Sequence, residues 1–448
     1  MRTVIENAAI STVDADGTEY RSGHVLIEDA HIVAVGEGPA QGEFDERVDA
    51  RGCLVTPGLV NTHHHLYQWA TRGYSPDSTL FEWLVELYPV WGGLDAGITH
   101  AAASAGLTRL ATTGCTTVAD HHYVFPSGAG DQVAALVEAA NRIGTRLHLV
   151  RGSMDRGESD GGLPPDNLVE TTEAALLGTE NAIDTYHDPS PEARVRIAVG
   201  PCSPFSVSEE LMTGAAELAR RKGVRLHTHL AETLDEEKQC LAEVGCTPAE
   251  YAGRLGWTGE DVWLAHTVHL SPEAVRRLGA TRTGSAHCPT SNGRLGTGIA
   301  PVRELLDAGA PVGLGVDGAA SNESGGLGEE LHQALLQARQ RGGPRALGTR
   351  EALWLGTMGG AKCLGREREI GSIEPGKLAD LAVWRLDDLR YAGITDPVAA
   401  LVLGATPPLA RLFVGGETVV SDGELRTEDE TVLAGELRSA SAKLRESR

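Results

Sequence analysis

Three consecutive histidines, His63-His64-His65, follow the apolar run Leu54–Asn61. Alternate residues of an extended strand share a face, so His63 and His65 point one way and His64 the other. Two imidazoles so spaced on a rigid element suit zinc, which takes nitrogen, thiolate and carboxylate ligands. A surface or packing run of histidines is the plain alternative for this triplet alone. Three later apolar runs end in the same residue types. One closes on His227-Thr228-His229, where His229 supplies a third nitrogen and His227 packs or supports; Glu232 follows three residues on, where the strand turns out. Another carries His266, and the last closes on Asp317. A carboxylate ending an apolar strand is unfavourable unless it binds metal, accepts hydrogen bonds or does chemistry. Four such strand ends point to one centre that holds a metal ion.

The elements that must position these residues recur along the chain. Strand-like runs at 54–61, 115–120, 146–151, 195–200, 224–229, 262–267, 281–287 and 312–317 alternate with helical stretches such as 131–143, 209–222, 272–278 and 301–309. Eight alternating strands predict a parallel sheet closed as a (β/α)8 barrel, whose chemistry sits at the C-terminal ends of the strands. An open doubly wound sheet is the rival, and no GxGxxG follows the first strand to support it. The two chain ends differ: 2–10, 24–36, 43–50 and 379–421 alternate as short strands, with an Asp-Gly turn at 422–423. They predict a small β-sandwich built from residues 1–56 and 369–448, flanking a barrel over 57–368.

Composition excludes several classes. There are 39 Lys and Arg against 62 Asp and Glu, a formal charge of −23 with no basic stripe, which argues against a nucleic-acid partner. Seven cysteines, an odd number without a CxxC pair, fit a reducing compartment. The first residues carry no apolar leader and no run is long enough to span a membrane, so the expected location is cytoplasmic. A small, weakly charged ligand is expected, and a homo-oligomer is compatible with the sequence. Cys202 and Cys288 near strand ends read as packing residues, because a metal-activated water makes a thiol nucleophile unnecessary.

The set PGLVNTHHH, HTHLAE, AHTVHL and GVDGAASN resembles the amidohydrolase superfamily, in its branch of nucleobase deaminases and s-triazine hydrolases. Longer stretches, among them GCTTVADHHYVFP, GPCSPFSVS and HCPTSNGRLGTGIAPV, extend the resemblance nearly end to end and are most similar to deaminases of oxidised guanine. The resemblance implies that His63, His65, His229 and Asp317 hold one Zn2+, with Fe2+ as the alternative metal. It implies Glu232 as proton shuttle and His266 as partner of the attacking water, with Asp317 sharing that proton. The reaction implied is hydrolytic deamination, 8-oxoguanine going to urate and ammonia; isoxanthopterin, guanine or an amino-triazine are the alternatives. Two-metal relatives generally carry a carboxylated lysine on strand 4. Here the first lysine is Lys222, which favours one metal over a two-metal cyclic-amide hydrolase. A non-catalytic barrel is disfavoured because every ligand type is present. Gln68 and His122, just past the first two strands, are candidates to read the heterocycle. Trp83 and Trp91, in the long connection after strand 1, either wall the pocket or belong to the core. Gly293 and Ala319 stand where the family pattern has a larger apolar residue and Ser.

Overall fold

The computed structural model describes residues 1–446. Both β-rich ends join in one nine-stranded sheet. Arg2–Ser11 pairs with Glu19–Glu28, which pairs with His31–Glu37, all antiparallel. Arg2–Ser11 then branches: its first half runs parallel to Glu46–Asp49 and its second half to Cys53–Pro57. From the other end, Leu381–Arg385 lies antiparallel to Cys53–Pro57 and leads into Leu409–Val414, Glu417–Ser421 and Glu424–Leu425. The sheet has its own apolar core, with Ile5, Ile10, Val25, Ile27, Val55, Leu381 and Phe413 among its members.

The run 54–61, expected as one strand, is divided between two sheets at Gly58. Cys53–Pro57 belongs to the outer sheet and Leu59–Asn61 opens the barrel. A Cβ at Gly58 would lie 2.3 Å from the Thr116 side chain, so the chain passes closely where it changes sheets.

The barrel closes through Leu59–Asn61, Cys115–His122, Arg146–Ser153, Val195–Pro201, Leu226–Leu230, Val262–His266, Gly284–His287 and Val312–Leu314, paired in parallel around the ring. Helices Gln132–Ile143, Glu209–Lys222, Pro272–Thr281 and Val302–Ala308 lie between strands where helical stretches were expected. The connection after the first strand is not a loop: it holds helices Leu80–Trp91 and Ala96–Thr112. A capping box of Thr79 with Glu82 starts the former, and Leu80, Leu84, Leu87 and Trp91 recur at helical spacing. The C-terminal helix Glu430–Glu446 packs on Ala96–Thr112, so the last segment of the chain also touches the barrel. No helix among the described residues is long and apolar enough to cross a membrane.

One buried ion pair ties sheet to barrel. Arg146, opening the third barrel strand, donates from Nε and Nη2 to both oxygens of Asp380 at 2.8 and 3.0 Å, and both side chains are 2% exposed. The Gly415 N–H adds a third donor at 2.7 Å. Burial alone would raise the Asp380 pKa; Arg146 and this N–H more than reverse that, so it lies below the usual carboxylate value. The native carboxylate therefore contributes stability at neutral pH, and that contribution is lost as pH falls through its lowered native pKa. Asp380→Asn is expected to lower unfolding free energy by about 3–5 kcal/mol, because it leaves Arg146 buried without its counter-charge. Urea unfolding at pH 7 checks this; a loss under ~1 kcal/mol would contradict it.

Candidate active site at the C-terminal end of the barrel

His63 and His65 leave the first barrel strand, His229 lies in the fifth, and Asp317 follows the eighth. Asp317 pairs in register with His64, which brings strands one and eight together across the mouth. The Nε2 atoms of His63 and His65 each lie 3.3 Å from Oδ1 of Asp317. Nε2 of His65 is 3.1 Å from Nε2 of His229.

The hydrogen bonds on the far side of each ring decide what these contacts are. Nδ1–H of His65 donates to the His121 carbonyl at 2.6 Å, and Nδ1–H of His229 to the Cys202 carbonyl at 2.6 Å. His227 donates from Nδ1 to the Trp263 carbonyl at 2.9 Å, so its Nε2 accepts from Nδ1–H of His63 at 2.8 Å. All three Nε2 atoms therefore present lone pairs to one another and to a carboxylate. Burial lowers the pKa values of the three histidines and keeps the rings neutral. Burial would raise that of Asp317, but the charge of His266 counters it and the carboxylate stays ionised. Converging lone pairs and a negative charge repel each other unless a cation sits among them. The buried, unpartnered Nε2 of His63 is the plainest sign of that fit. His63, His65 and Asp317 form one metal-competent group, and His229 joins others with His63 and His65.

Glu232 and His266 face each other beside this centre, with Oε2 3.5 Å from Nε2. Burial pushes the Glu232 carboxyl up to about 7, and its Oε1 is buried without a partner. His266 donates from Nδ1 to Oδ1 of Asn292 at 3.0 Å. Burial alone would lower its pKa; Glu232 and Asp317 raise it above the ordinary value. The backbone bends sharply at these strand ends: Ala231, His266, Thr267 and Asp317 all have positive φ, an unfavourable conformation for non-glycine residues. Glu236 holds one bend by accepting from the N–H groups of Ala231 and Glu232 at 2.9 and 2.8 Å.

A cavity opens over the centre, lined by His65, His229, Glu232, His266 and Asp317 below, with Leu80, Trp83, Leu84 and Tyr88 from the helix after strand 1. Gln68 lines it, and its Oε1 is buried and unpartnered. His122 does not line it. Its strand neighbours His121 and Tyr123 take the inward positions against His65, while Nε2–H of His122 donates to the Val124 carbonyl at 2.9 Å. Trp83 is in the wall and Trp91 lies behind it, donating to Thr71. Neither Gly293 nor Ala319 is among the lining residues.

His121 went unread in the sequence, although its ring stacks on His229 with centroids 4.9 Å apart and it belongs to two metal-competent groups. The signal was strand parity: it shares a face with Ala119, which packs inside the barrel. Ser291 and Ser321, whose hydroxyls donate to Oδ2 of Asp317 at 2.6 and 3.1 Å, carried no such signal.

A closed (β/α)8 barrel with imidazole lone pairs and a carboxylate converging at its C-terminal mouth defines a metal-dependent barrel enzyme. A sequence model described as "Amidohydrolase family" matches residues 54–424, and the chain belongs to that family. It is 45% identical to an 8-oxoguanine deaminase of Pseudomonas aeruginosa, covering 99% of each chain. It is 39% identical to an isoxanthopterin deaminase from an unknown prokaryotic organism, over 97% of this chain and 96% of that one. A crystal structure of an atrazine chlorohydrolase from Arthrobacter aurescens TC1, complexed with zinc, superposes with a TM-score of 0.93 at 33% identity, covering 98% of this chain and 100% of the other.

Proposed function

We propose that this protein is a zinc-dependent hydrolytic deaminase of an amino-substituted heterocycle, with 8-oxoguanine, an oxidised purine, as substrate and urate and ammonia as products. The observation that carries the reading is the convergence of three neutral imidazoles and an ionised carboxylate beside a buried carboxyl with a free oxygen. In this proposal His63, His65, His229 and Asp317 hold one metal ion. Zinc bound by such ligands acts as a Lewis acid and lowers the pKa of a bound water toward ~7. The residues do the rest. Asp317 takes up the proton of the attacking water, and His266 orients that water. Glu232 passes a proton to the ring nitrogen next to the carbon under attack, through its unpartnered oxygen. Water oxygen bonds to that carbon, the exocyclic C–N bond breaks, and ammonia leaves with the proton returned through Glu232. The absence of any lysine before Lys222 supports one ion rather than a lysine-bridged pair. The barrel, residues 57–368, carries this chemistry, and 1–56 with 369–448 make the accompanying unit. Seven free cysteines fit a reducing cytoplasm.

Ammonia release from 8-oxoguanine, isoxanthopterin, guanine and an amino-triazine tests the substrate: 8-oxoguanine is expected to turn over best, and a better triazine would overturn the choice. Recognition of the ring falls to the unpartnered polar atoms of the cavity, Gln68 Oε1 and the Tyr88 hydroxyl. Burial raises the Tyr88 pKa, so this hydroxyl stays a donor. Tyr88→Phe keeps the shape and removes the donor, and is expected to lower kcat/KM by about 10-fold through KM. An unchanged kcat/KM would remove Tyr88 from the recognition surface.

A further inference from the structure

The interior-facing rows of the barrel carry a second polar cluster at the opposite, N-terminal end. His227 and His229 lie two residues apart in the fifth strand, and Arg225, two residues before His227, immediately precedes that strand. Arg196 pairs in register with His148 across strands four and three. A layer of Val60, Ala119, Val150, Ala198, Trp263 and Ala286 separates this foot from the catalytic end. His148, Arg196, Arg225 and His187 line a cavity of about 230 Å³. It reaches solvent beside the exposed Gly223 and Gly365.

Charge at the foot is one-sided. Glu369 pairs with Arg196 at 2.6 Å and with the buried Arg366 at 2.6 Å, so one carboxylate serves two guanidinium groups. Arg225 has no carboxylate within ion-pair distance among the described residues: nearby Glu260 and Asp261 pair with Arg282 and Arg220. Donors are also left over. Nε of Arg225, Nε of Arg196 and Nδ1 of His148 are buried without partners, and His148 is 2% exposed. Nδ1 of His187 accepts from the Ile197 N–H at 3.1 Å, which leaves its Nε2–H free to donate. Arg225 is part-buried and its Nη2 donates to the Glu260 carbonyl at 2.6 Å. Buried N–H groups without partners, such as its Nε, are unfavourable, and more so where they cluster with like charge. The same three arginines, after burial, hold the His148 pKa down, so its ring is neutral with one donor and one acceptor.

We propose that this cavity binds a small tetrahedral oxyanion, with Arg225, Arg196 and His148 as its recognition groups. Guanidinium forks match oxyanion geometry, and a single anion satisfies several leftover donors while balancing the unpaired Arg225. On a chain of net charge −23 this is a site where an anion is drawn in rather than repelled.

The test is thermal unfolding and calorimetric titration of the metal-loaded protein with inorganic phosphate, against sodium chloride of equal ionic strength. Phosphate at about ten times its Kd is expected to raise Tm by about 2 °C and to titrate with one site per chain. Arg225→Gln is expected to abolish the shift and His148→Gln to weaken binding about 10-fold; each variant is first checked for a cooperative melt. His148→Gln carries the test alone where Arg225→Gln does not fold. Adenosine monophosphate in place of phosphate distinguishes the source: protection by phosphate alone marks a free anion, protection by both marks a phosphoryl group on a larger molecule. No shift with phosphate in the wild type, or a shift that survives in both variants and so belongs to the metal centre, overturns the proposal.

Discussion

His229→Ala is expected to abolish deamination, with turnover falling at least ~10³-fold and bound metal dropping well below one ion per chain. His229 faces His65 at 3.1 Å across the centre, and its ring is held by the Cys202 carbonyl. Removing it deletes one of the four proposed donors to the metal ion. Chelation of the wild type should reproduce the loss, and restoring stoichiometric Zn2+ should recover it. Metal analysis beside an ammonia assay checks both halves. Full turnover in a metal-free sample, or two ions per chain in the native one, would displace the proposed centre.

The second large effect concerns Glu232. Glu232→Gln preserves size and burial but can no longer exchange a proton, and kcat should fall by ~10²–10⁴-fold. Metal content should stay near one per chain, because Glu232 contacts His266 and not the ligand atoms. That split separates a proton carrier from a ligand. The side chain is set from behind: both oxygens of Glu236 grip the backbone where Ala231 turns at φ +53. A Glu232→Gln enzyme with native kcat would assign the proton transfers elsewhere.

The parts of this site that were legible in the sequence owe it to strand parity and burial cost. His63 and His65 are two residues apart, and one face of a strand follows from that spacing. Asp317 stood out because an ionised group closing an apolar run demands a partner. Where reading stopped, the cause was tertiary. The strand candidate 115–120 runs on to His122, so His121 falls in the inward row and His122 outside it. The helix Leu80–Trp91, with Pro89 in its last turn, read as a long connection, so the wall formed by Leu84 and Tyr88 went unseen. Strands at 54–61 looked like one element because apolar character does not reveal a change of sheet at Gly58. Ser291 and Asn292 lie on the short helix Pro289–Arg294 and Glu236 on the first turn of the helix Leu234–Val244, and only the tertiary fold brings them to Asp317, His266 and Glu232.

The division at Gly58 also bears on how the chain reaches this structure. Cys53–Pro57 leads directly into the strand that presents His63 and His65, and its antiparallel partner is Leu381–Arg385, more than three hundred positions later. Closing so large a loop is entropically slow, and contacts this distant in sequence form late in folding. The hairpin of Arg2–Ser11 and Glu19–Glu28 can form as soon as it is made, yet the segment feeding the catalytic strand keeps an open edge until residues 381–385 have been made. Synthesis of residues 381–385 is therefore a checkpoint: a product cut short before residue 381 presents an unpaired strand edge, the kind of edge that templates aggregation.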